Sequence, residues 1–309
     1  MATFPSLDIE RELADWSQTL GPLLEPLVGS GLDVSPSLGE KPASSDRMKF
    51  CVRDASGERR LNVVVSPATQ PDLGARAIEC AAAAKRVLGP ELGDRIQDPV
   101  HTGVALGRSF AVFPYLAPVR GLAGLMRARW LAPPLQGWLR QVAAHTLGDV
   151  GSADQETRFQ QPLRHLLERE GISGRVRTAS EYFLYRLRDG KLPARFVLMH
   201  GNLTADNVLL ASQGVLRRPR TLLAGWSGAL IRGYAIFDLV CLARSFRLTP
   251  EQLHTELEHH AELLGCEVDD TRGHLLAALG YCGIGLEGDL VRRYLARVET
   301  CMDTISEAL

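Results

Sequence analysis

The chain has 309 residues, 45% of them hydrophobic, and a formal net charge of −1 at pH 7. This length allows two lobes with sizeable cores, and the balanced charge gives no footprint for nucleic acid or an anionic membrane. No segment approaches the roughly 20 consecutive apolar residues that span a bilayer, and the first residues lack a charged segment followed by an apolar one. The six cysteines are dispersed, which indicates neither a zinc site nor a disulfide framework. We therefore expect a cytoplasmic protein.

The first third of the chain alternates helical and strand-like patterns. The stretch Val34–Asp46 is rich in serine and proline and predicts a surface loop. A turn at Asp54–Gly57 separates two strand-like segments, which predicts a hairpin. In chain order, the helices and strands are predicted at Leu7–Leu27, Met48–Arg53, Arg59–Pro67 and Ala75–Leu88.

The last two thirds of the chain are predominantly helical in pattern. Thr249 followed by Pro250 is typical of a helix start, with threonine as N-cap and proline at the first helical position. The adjacent His259 and His260 point about 100° apart on a helix, so they cannot chelate one ion and are expected to be exposed. The helices are predicted at Pro134–Leu147, Gln160–Glu170, Val176–Arg188, Asp238–Arg247, Thr249–Leu264, Asp270–Tyr281 and Gly288–Ala308.

Two segments at a fixed separation carry the most specific signal. The first runs His200-Gly-Asn-Leu-Thr-Ala-Asp-Asn207 between two apolar stretches, and the second places Gly225 and then Asp238-Leu239 downstream. Together they resemble the aminoglycoside phosphotransferase and choline kinase family, whose loop reads His-Gly-Asp-Leu-x-x-x-Asn. The resemblance implies an α+β, bilobal protein kinase-like fold.

The same resemblance implies a domain organisation. Residues 1–117 would form a small N-lobe with an N-terminal helix, an antiparallel sheet and the helix that carries Glu79. Residues 118–309 would form a larger, mostly helical C-lobe. This C-lobe would hold the catalytic loop at 198–210 and the remnant of a metal loop at 222–239.

The chain departs from the family pattern at the residues that perform chemistry. Asn202 stands where the family has the aspartate that accepts the proton of the attacking hydroxyl, and an amide does not accept a proton at physiological pH. Gly225 occupies the position of a magnesium-binding aspartate, which leaves Asn207 as the remaining metal ligand. Asp238 and His200 match residues that brace the catalytic loop, so their presence indicates the fold rather than turnover.

The phosphate-binding lysine of the family is also missing. Its position falls at Val64, or at Val65 if the alignment shifts by one, and the strand contains no lysine. The glutamate that would pair with it is Glu79, which we expect to reach solvent or to find an arginine such as Arg53. Lys41 in the preceding loop is an alternative source of the charge.

The segment that begins at Ser109 resembles the last strand of the small lobe and the hinge. Tyr115 and Leu116 would lie where backbone groups meet an adenine. These two residues complete the expected cofactor-binding positions.

The loss of base, metal ligand and lysine together predicts a catalytically deficient pseudokinase that acts as a binding, scaffolding or regulatory partner and needs no cofactor. Neither the protein partner nor the oligomeric state can be read from the residues. The alternative is a residual phosphotransferase that uses ATP with Mg²⁺ and a hydroxyl acceptor such as an aminoglycoside, amino alcohol or sugar. It would depend on displaced groups such as Asp206, which we expect to face solvent.

Overall fold

The computed structural model describes residues 6–37, 48–119, 130–211 and 220–309, so Lys41 lies outside the described residues. The α-helices are α1 (Ser6–Val28), α2 (Leu73–Gly93), α3 (Ala132–Thr146), α4 (Ser152–Gln155), α5 (Gln161–Glu168), α6 (Gly174–Arg188), α7 (Phe237–Phe246), α8 (Pro250–Leu264), α9 (Thr271–Gly283) and α10 (Asp289–Ala308). The strands are β1 (Asp33–Pro36), β2 (Met48–Arg53), β3 (Arg59–Val65), β4 (His101–Ala105), β5 (Arg108–Pro114), β6 (Ala117–Pro118), β7 (Gly148–Asp149), β8 (Arg195–Met199), β9 (Val208–Ala211), β10 (Arg220–Leu223) and β11 (Leu230–Gly233). This content confirms the predicted α+β class.

The chain forms two compact units that interleave along the sequence. The first comprises Met1–Ala82, Ile96–Ala117 and Leu210–Ser227, and the second comprises Ala83–Arg95, Pro118–Leu209 and Gly228–Leu309. The sequence predicts a single boundary, after residue 117. In the structure two further segments cross that boundary: residues 83–95 belong to the second unit and residues 210–227 to the first.

The first unit is built on a five-stranded sheet with the strand order β1-β2-β3-β5-β4. Its pairs are antiparallel, and the β2–β3 hairpin closes over the predicted turn. Trp16, Leu20 and Leu24 recur at four-residue spacing on one face of α1, and they are fully buried. They pack in one core with apolar side chains of the sheet, among them Phe50, Val52, Val63, Val65, Phe110 and Val112.

Alternation along β3 sends its other residues to the opposite face of the sheet. Leu61, Val63 and Val65 are buried in the core with α1, while Asn62 and Val64 between them are partly exposed. Val64 pairs in register with Lys49 on β2 and with Ala111 on β5. Directly opposed residues share a face in an antiparallel pair, so Lys49 lies on the same face as Val64.

The second unit combines a small antiparallel sheet, β11-β8-β7, with a helical core. Phe159 is at the centre of this core, with ring centroids 5.6 Å from Phe196, 5.3 Å from Tyr234 and 6.0 Å from His274. Burial lowers the pKa of His274 to about 4, so this imidazole is neutral at physiological pH.

A glycine allows two helices of the second unit to approach each other closely. A Cβ added at Gly280 in α9 would lie 2.1 Å from the carbonyl oxygen of Pro162 in α5. That distance is far inside van der Waals contact, so only glycine fits at this crossing.

The helix start predicted at Thr249 is confirmed. The Thr249 side chain accepts a hydrogen bond from the backbone N–H of Gln252, and the Gln252 side chain accepts one from the N–H of Thr249. The expectation for the neighbouring histidines is half wrong, because His259 is exposed but His260 is only 1% exposed. His260 lies on the inner face of α8, where its Nδ1 bonds the Glu256 carbonyl oxygen over 2.8 Å.

Among the described residues, no helix combines the length and the apolar character needed to cross a membrane. The six cysteines are all free, and three of them are buried: Cys51, Cys241 and Cys301.

Candidate functional site

The loop that follows β8 is held by one buried carboxylate. Asp238, at the start of α7, accepts hydrogen bonds from the backbone N–H groups of His200 (2.5 Å), Gly201 (3.0 Å) and Leu203 (3.3 Å). Its side chain is 3% exposed, and this burial raises the pKa of Asp238, while His200 and the three N–H groups oppose the rise. Asp238 therefore braces the turn of the loop.

The tight turn at the start of this loop depends on glycine. Gly201 has a φ of +84°, which disfavours other residues, and a Cβ added there would lie 2.3 Å from the carbonyl oxygen of Gly228. His200 is 2% exposed, and its Nδ1 accepts a hydrogen bond from the N–H of Asn202 over 3.2 Å. This bond assigns His200 a part in shaping the loop.

Within the loop, the two asparagines of the predicted site are tied together. The side-chain Nδ2 of Asn207 donates to the backbone oxygen of Asn202 over 2.8 Å, and the N–H of Asn207 donates to Thr204 over 3.0 Å. The N–H of Ala205 donates to the hydroxyl of Ser245 in α7 over 2.7 Å. These contacts leave the side chain of Asn202 exposed, beyond the braced backbone.

The amide of Asn202 faces a cation. Arg297, on α10, places Nη2 3.5 Å from Oδ1 of Asn202 and 3.3 Å from the sulfur of Cys241, and its guanidinium lies 4.6 Å from the centre of the Phe237 ring. A stacked guanidinium with these contacts has a restricted orientation. A side chain at position 202 therefore meets a fixed positive charge.

Two buried thiols lie beside the same arginine. A hydrogen bond with Cys301 and burial raise the pKa of Cys241, while the same hydrogen bond and the nearby Arg244 and Arg297 lower the pKa of Cys301. Arg244 places Nη1 3.6 Å from the Cys301 sulfur. The hydrogen bond between the two thiols therefore favours the thiolate of Cys301 over that of Cys241, and Arg244, which bonds Cys301, adds to this preference.

The remaining loop positions of the predicted site offer few metal ligands. Asp206, in the 3-10 turn Ala205–Asn207, is exposed, in agreement with the expectation for it. Gly225, in the first unit, has a φ of +82° and no side chain to bind a cation. Among the described residues, no three His, Cys, Asp or Glu side chains are grouped so that they could hold a metal ion.

On the sheet of the first unit, the structure adds a residue that sequence reasoning missed. Val64 is the residue at which the sequence resemblance places the missing lysine, and Lys49 lies opposite it on β2 with an exposed side chain. Glu79 on α2 is exposed, so it reaches solvent, and Arg53 instead donates to the carbonyl oxygen of Gly57 over 3.0 Å. The hairpin turn was the available signal for Lys49, because turn length fixes which residues face each other.

The expected hinge residues follow the end of β5. The N–H of Tyr115 donates to the carbonyl oxygen of Arg60 over 2.8 Å, and its hydroxyl accepts from Nη1 of Arg59 over 2.9 Å. Leu116 is partly buried. The backbone N–H of Tyr115 is thus engaged within the unit.

The comparisons with known proteins identify the fold. Neither a family model nor a curated protein matches the sequence. The choline kinase LicA from Streptococcus pneumoniae has a similar solved structure, with 14% identity and a TM-score of 0.54 over 94% of this chain and 99% of that chain. The structure of LicA in complex with AMP gives 15% identity and a TM-score of 0.51 over 94% and 99%. An ethanolamine kinase from Plasmodium vivax gives 10% identity and a TM-score of 0.53 over 100% and 98%.

At these identities the likeness is one of fold. It confirms the kinase-like fold that the sequence predicts from its loop segments, and with it the resemblance to choline kinases at the level of architecture. Because one fold supports many functions, activity has to be argued from the residues of the site.

Proposed function

We propose that this protein is a catalytically deficient relative of small-molecule kinases that acts as a binding, scaffolding or regulatory partner. The observation that carries the proposal is the environment of Asn202. Its amide has no proton-accepting group at physiological pH, and its oxygen points to the guanidinium of Arg297. A cation at this position opposes any proton transfer to the loop.

The metal-binding residues support the same proposal. Magnesium prefers carboxylate oxygen in near-octahedral geometry. Position 225 offers no side chain, and Asn207, whose Nδ2 is bonded to the loop backbone, has only a neutral amide oxygen to offer a cation. The described residues therefore fit a magnesium ion poorly.

A partner role has a direct test in the oligomeric and binding state of the protein. We expect tagged full-length chain, isolated from the cells that express it, to carry a stoichiometric protein partner and to elute above its own mass of 33.8 kDa. An unrelated tagged protein of similar size serves as control. A monodisperse monomer at micromolar concentration without a stoichiometric partner contradicts the proposal.

A second candidate function is a residual ATP-dependent phosphotransferase, and one observation favours it. Lys49 is in register with Val64, so a lysine lies on the same face of the sheet as the missing one. A displaced ammonium can contact phosphate as a point charge. The fold likeness to a protein whose structure contains AMP gives this candidate its cofactor class.

Nucleotide binding distinguishes this second candidate. In a thermal-shift titration, a ligand at a hundred times its dissociation constant adds about 2.7 kcal/mol to the free energy of unfolding. If Lys49 contacts phosphate, Lys49→Met should abolish a shift caused by ATP, whereas Lys191→Met, which removes an exposed lysine paired with Asp189, should retain it. No shift of the wild type at millimolar ATP would exclude the second candidate.

A further inference from the structure

A pocket of about 430 Å³ lies between the loop and two helices of the second unit. The loop contributes Asn202, α7 contributes Arg244 and Ser245, and α10 contributes Arg293 and Arg297. This volume falls in the range of about 300–1,000 Å³ that is typical of small-molecule sites. No acidic side chain is among the described residues that line it.

The three arginines keep their charge without a carboxylate partner among the described residues. Arg244 and Arg297 bond the sulfurs of Cys301 and Cys241, and Arg293 makes no contact of this kind. The adjacent Arg292, in contrast, pairs with Asp289 over 2.6 Å and does not line the pocket. Even when the Cys301 thiol is ionised, its single negative charge offsets only one of the three guanidinium charges.

The residue at position 202 determines how much of this charge is available. An aspartate there would bring a carboxylate to the distance at which Arg297 now meets the amide oxygen, 3.5 Å, and would neutralise it. The asparagine accepts the hydrogen bond without adding a negative charge. The exchange that removes the catalytic base thus also leaves the pocket cationic.

Hydroxyl groups supply further donors at the pocket wall. The oxygen of Ser245 accepts a hydrogen bond from the N–H of Ala205, so its own proton is left to donate elsewhere. Thr204 also lines the pocket. Guanidinium forks together with hydroxyl donors are the groups that bind phosphate oxygens in proteins.

We propose that this pocket binds the phosphate group of a phosphorylated small molecule through Arg244, Arg293 and Arg297. A phosphate monoester carries about −1.5 to −2 charges at pH 7 and three acceptor oxygens, which match three cations better than a single carboxylate does. The proposal deepens the function proposed above by naming a ligand class. It rests on the proposed catalytic deficiency at residue 202, the position beside which a kinase would bind its hydroxyl acceptor.

The test is a thermal-shift and calorimetric titration of the full chain with inorganic phosphate and with glycerol 3-phosphate, in the absence of nucleotide. Ionic strength is held constant with chloride, and succinate is titrated in parallel. We expect a saturable rise in melting temperature with both phosphates and none with chloride or succinate. Because nucleotide is absent, the result is independent of whether the protein transfers phosphoryl groups.

Substitutions of exposed side chains locate the site. Arg293→Gln and Arg244→Gln should each weaken phosphate binding about tenfold or more, since each removes charge-assisted hydrogen bonds. Asn202→Asp should weaken it similarly by neutralising Arg297. Arg292→Gln, which alters the neighbouring exposed arginine on the same helix, should leave the affinity unchanged.

Three results would overturn the proposal. The first is a wild-type protein that shows no saturable response to either phosphate. The second is equal weakening by Arg292→Gln and Arg293→Gln, which would indicate diffuse attraction to the helix. The third is a preference for succinate over phosphate, which would assign the pocket to carboxylates.

Discussion

Replacing Asp238 by alanine should detach the loop that carries Asn202. The carboxylate accepts hydrogen bonds from three backbone N–H groups, at 2.5, 3.0 and 3.3 Å, and only 3% of its surface is exposed. A buried donor left without a partner costs about 1–3 kcal/mol, so three would cost about 3–9 kcal/mol. Part of this cost is offset, because the substitution also removes a buried charge and because water can enter and bond the freed N–H groups. We expect a loss of about 3–5 kcal/mol in the free energy of unfolding.

Urea-induced unfolding measures this loss, with circular dichroism and tryptophan fluorescence compared to check that both report one transition. Hydrogen exchange at the amides of His200, Gly201 and Leu203 provides a local measure, and exchange there should accelerate in the variant. Asp289→Ala, which removes an exposed aspartate, is the control and should change little. If Asp238→Ala costs less than about 1 kcal/mol and leaves exchange unchanged, the bracing argument is refuted.

Two further predictions concern the packing and the pH response of the helical unit. Gly280→Ala should destabilise the protein by about 1–3 kcal/mol, because its Cβ would lie 2.1 Å from Pro162 O. Gly137→Ala, which has no neighbour closer than 3.9 Å, should stabilise it by about 0.5–1 kcal/mol in the same urea titration. Burial lowers the pKa of His260 from 6.5 to about 4. Below pH 6.5 the imidazole is therefore protonated in the unfolded chain, whereas in the folded chain it stays neutral down to about pH 4. His260 alone should therefore lower stability by up to about 3 kcal/mol across this window, and the buried His274 adds to that loss. His260→Gln should reduce the loss while His259→Gln should not. Equal pH profiles for the two histidine variants, or equal stabilities for the two glycine variants, would contradict these arguments.

Local sequence signals predicted the helices well, because they act over a few residues. Thr249, Pro250 and Gln252 form a cap whose parts lie within one turn, and the observed helix begins at Pro250, the predicted first helical position. The hairpin around Gly57 follows from turn chemistry in the same way. The kinase-like fold was predictable from the loop segment and Asp238, since their spacing reflects a shared architecture.

The site was less predictable, because its contacts join residues that are distant in sequence. Arg297 meets Asn202 across 95 positions, and no periodicity in either segment signals the other. Lys49 is an exception, because the hairpin turn between β2 and β3 was a signal for its position opposite Val64. His260 was expected to be exposed, but it shares one face of α8 with the buried Leu253, Leu257 and Leu264, a helical spacing that the sequence contains.

The charge of the pocket links the two proposals. In a kinase of this fold, the residue at position 202 would serve chemistry, whereas here it helps to leave Arg297 free of a carboxylate. The loop backbone, held by Asp238, is retained as a rigid support. We infer that the braced loop now serves to position a binding surface.

The most direct test of the central claim is an ADP-release assay of the purified full chain with ATP, Mg²⁺ and a panel of aminoglycosides, amino alcohols and sugars. Our account predicts no ADP release above the rate measured without protein for any acceptor. Acceptor-dependent ADP release that disappears in Asp206→Ala or Lys49→Met would contradict it and establish a phosphotransferase that uses displaced groups.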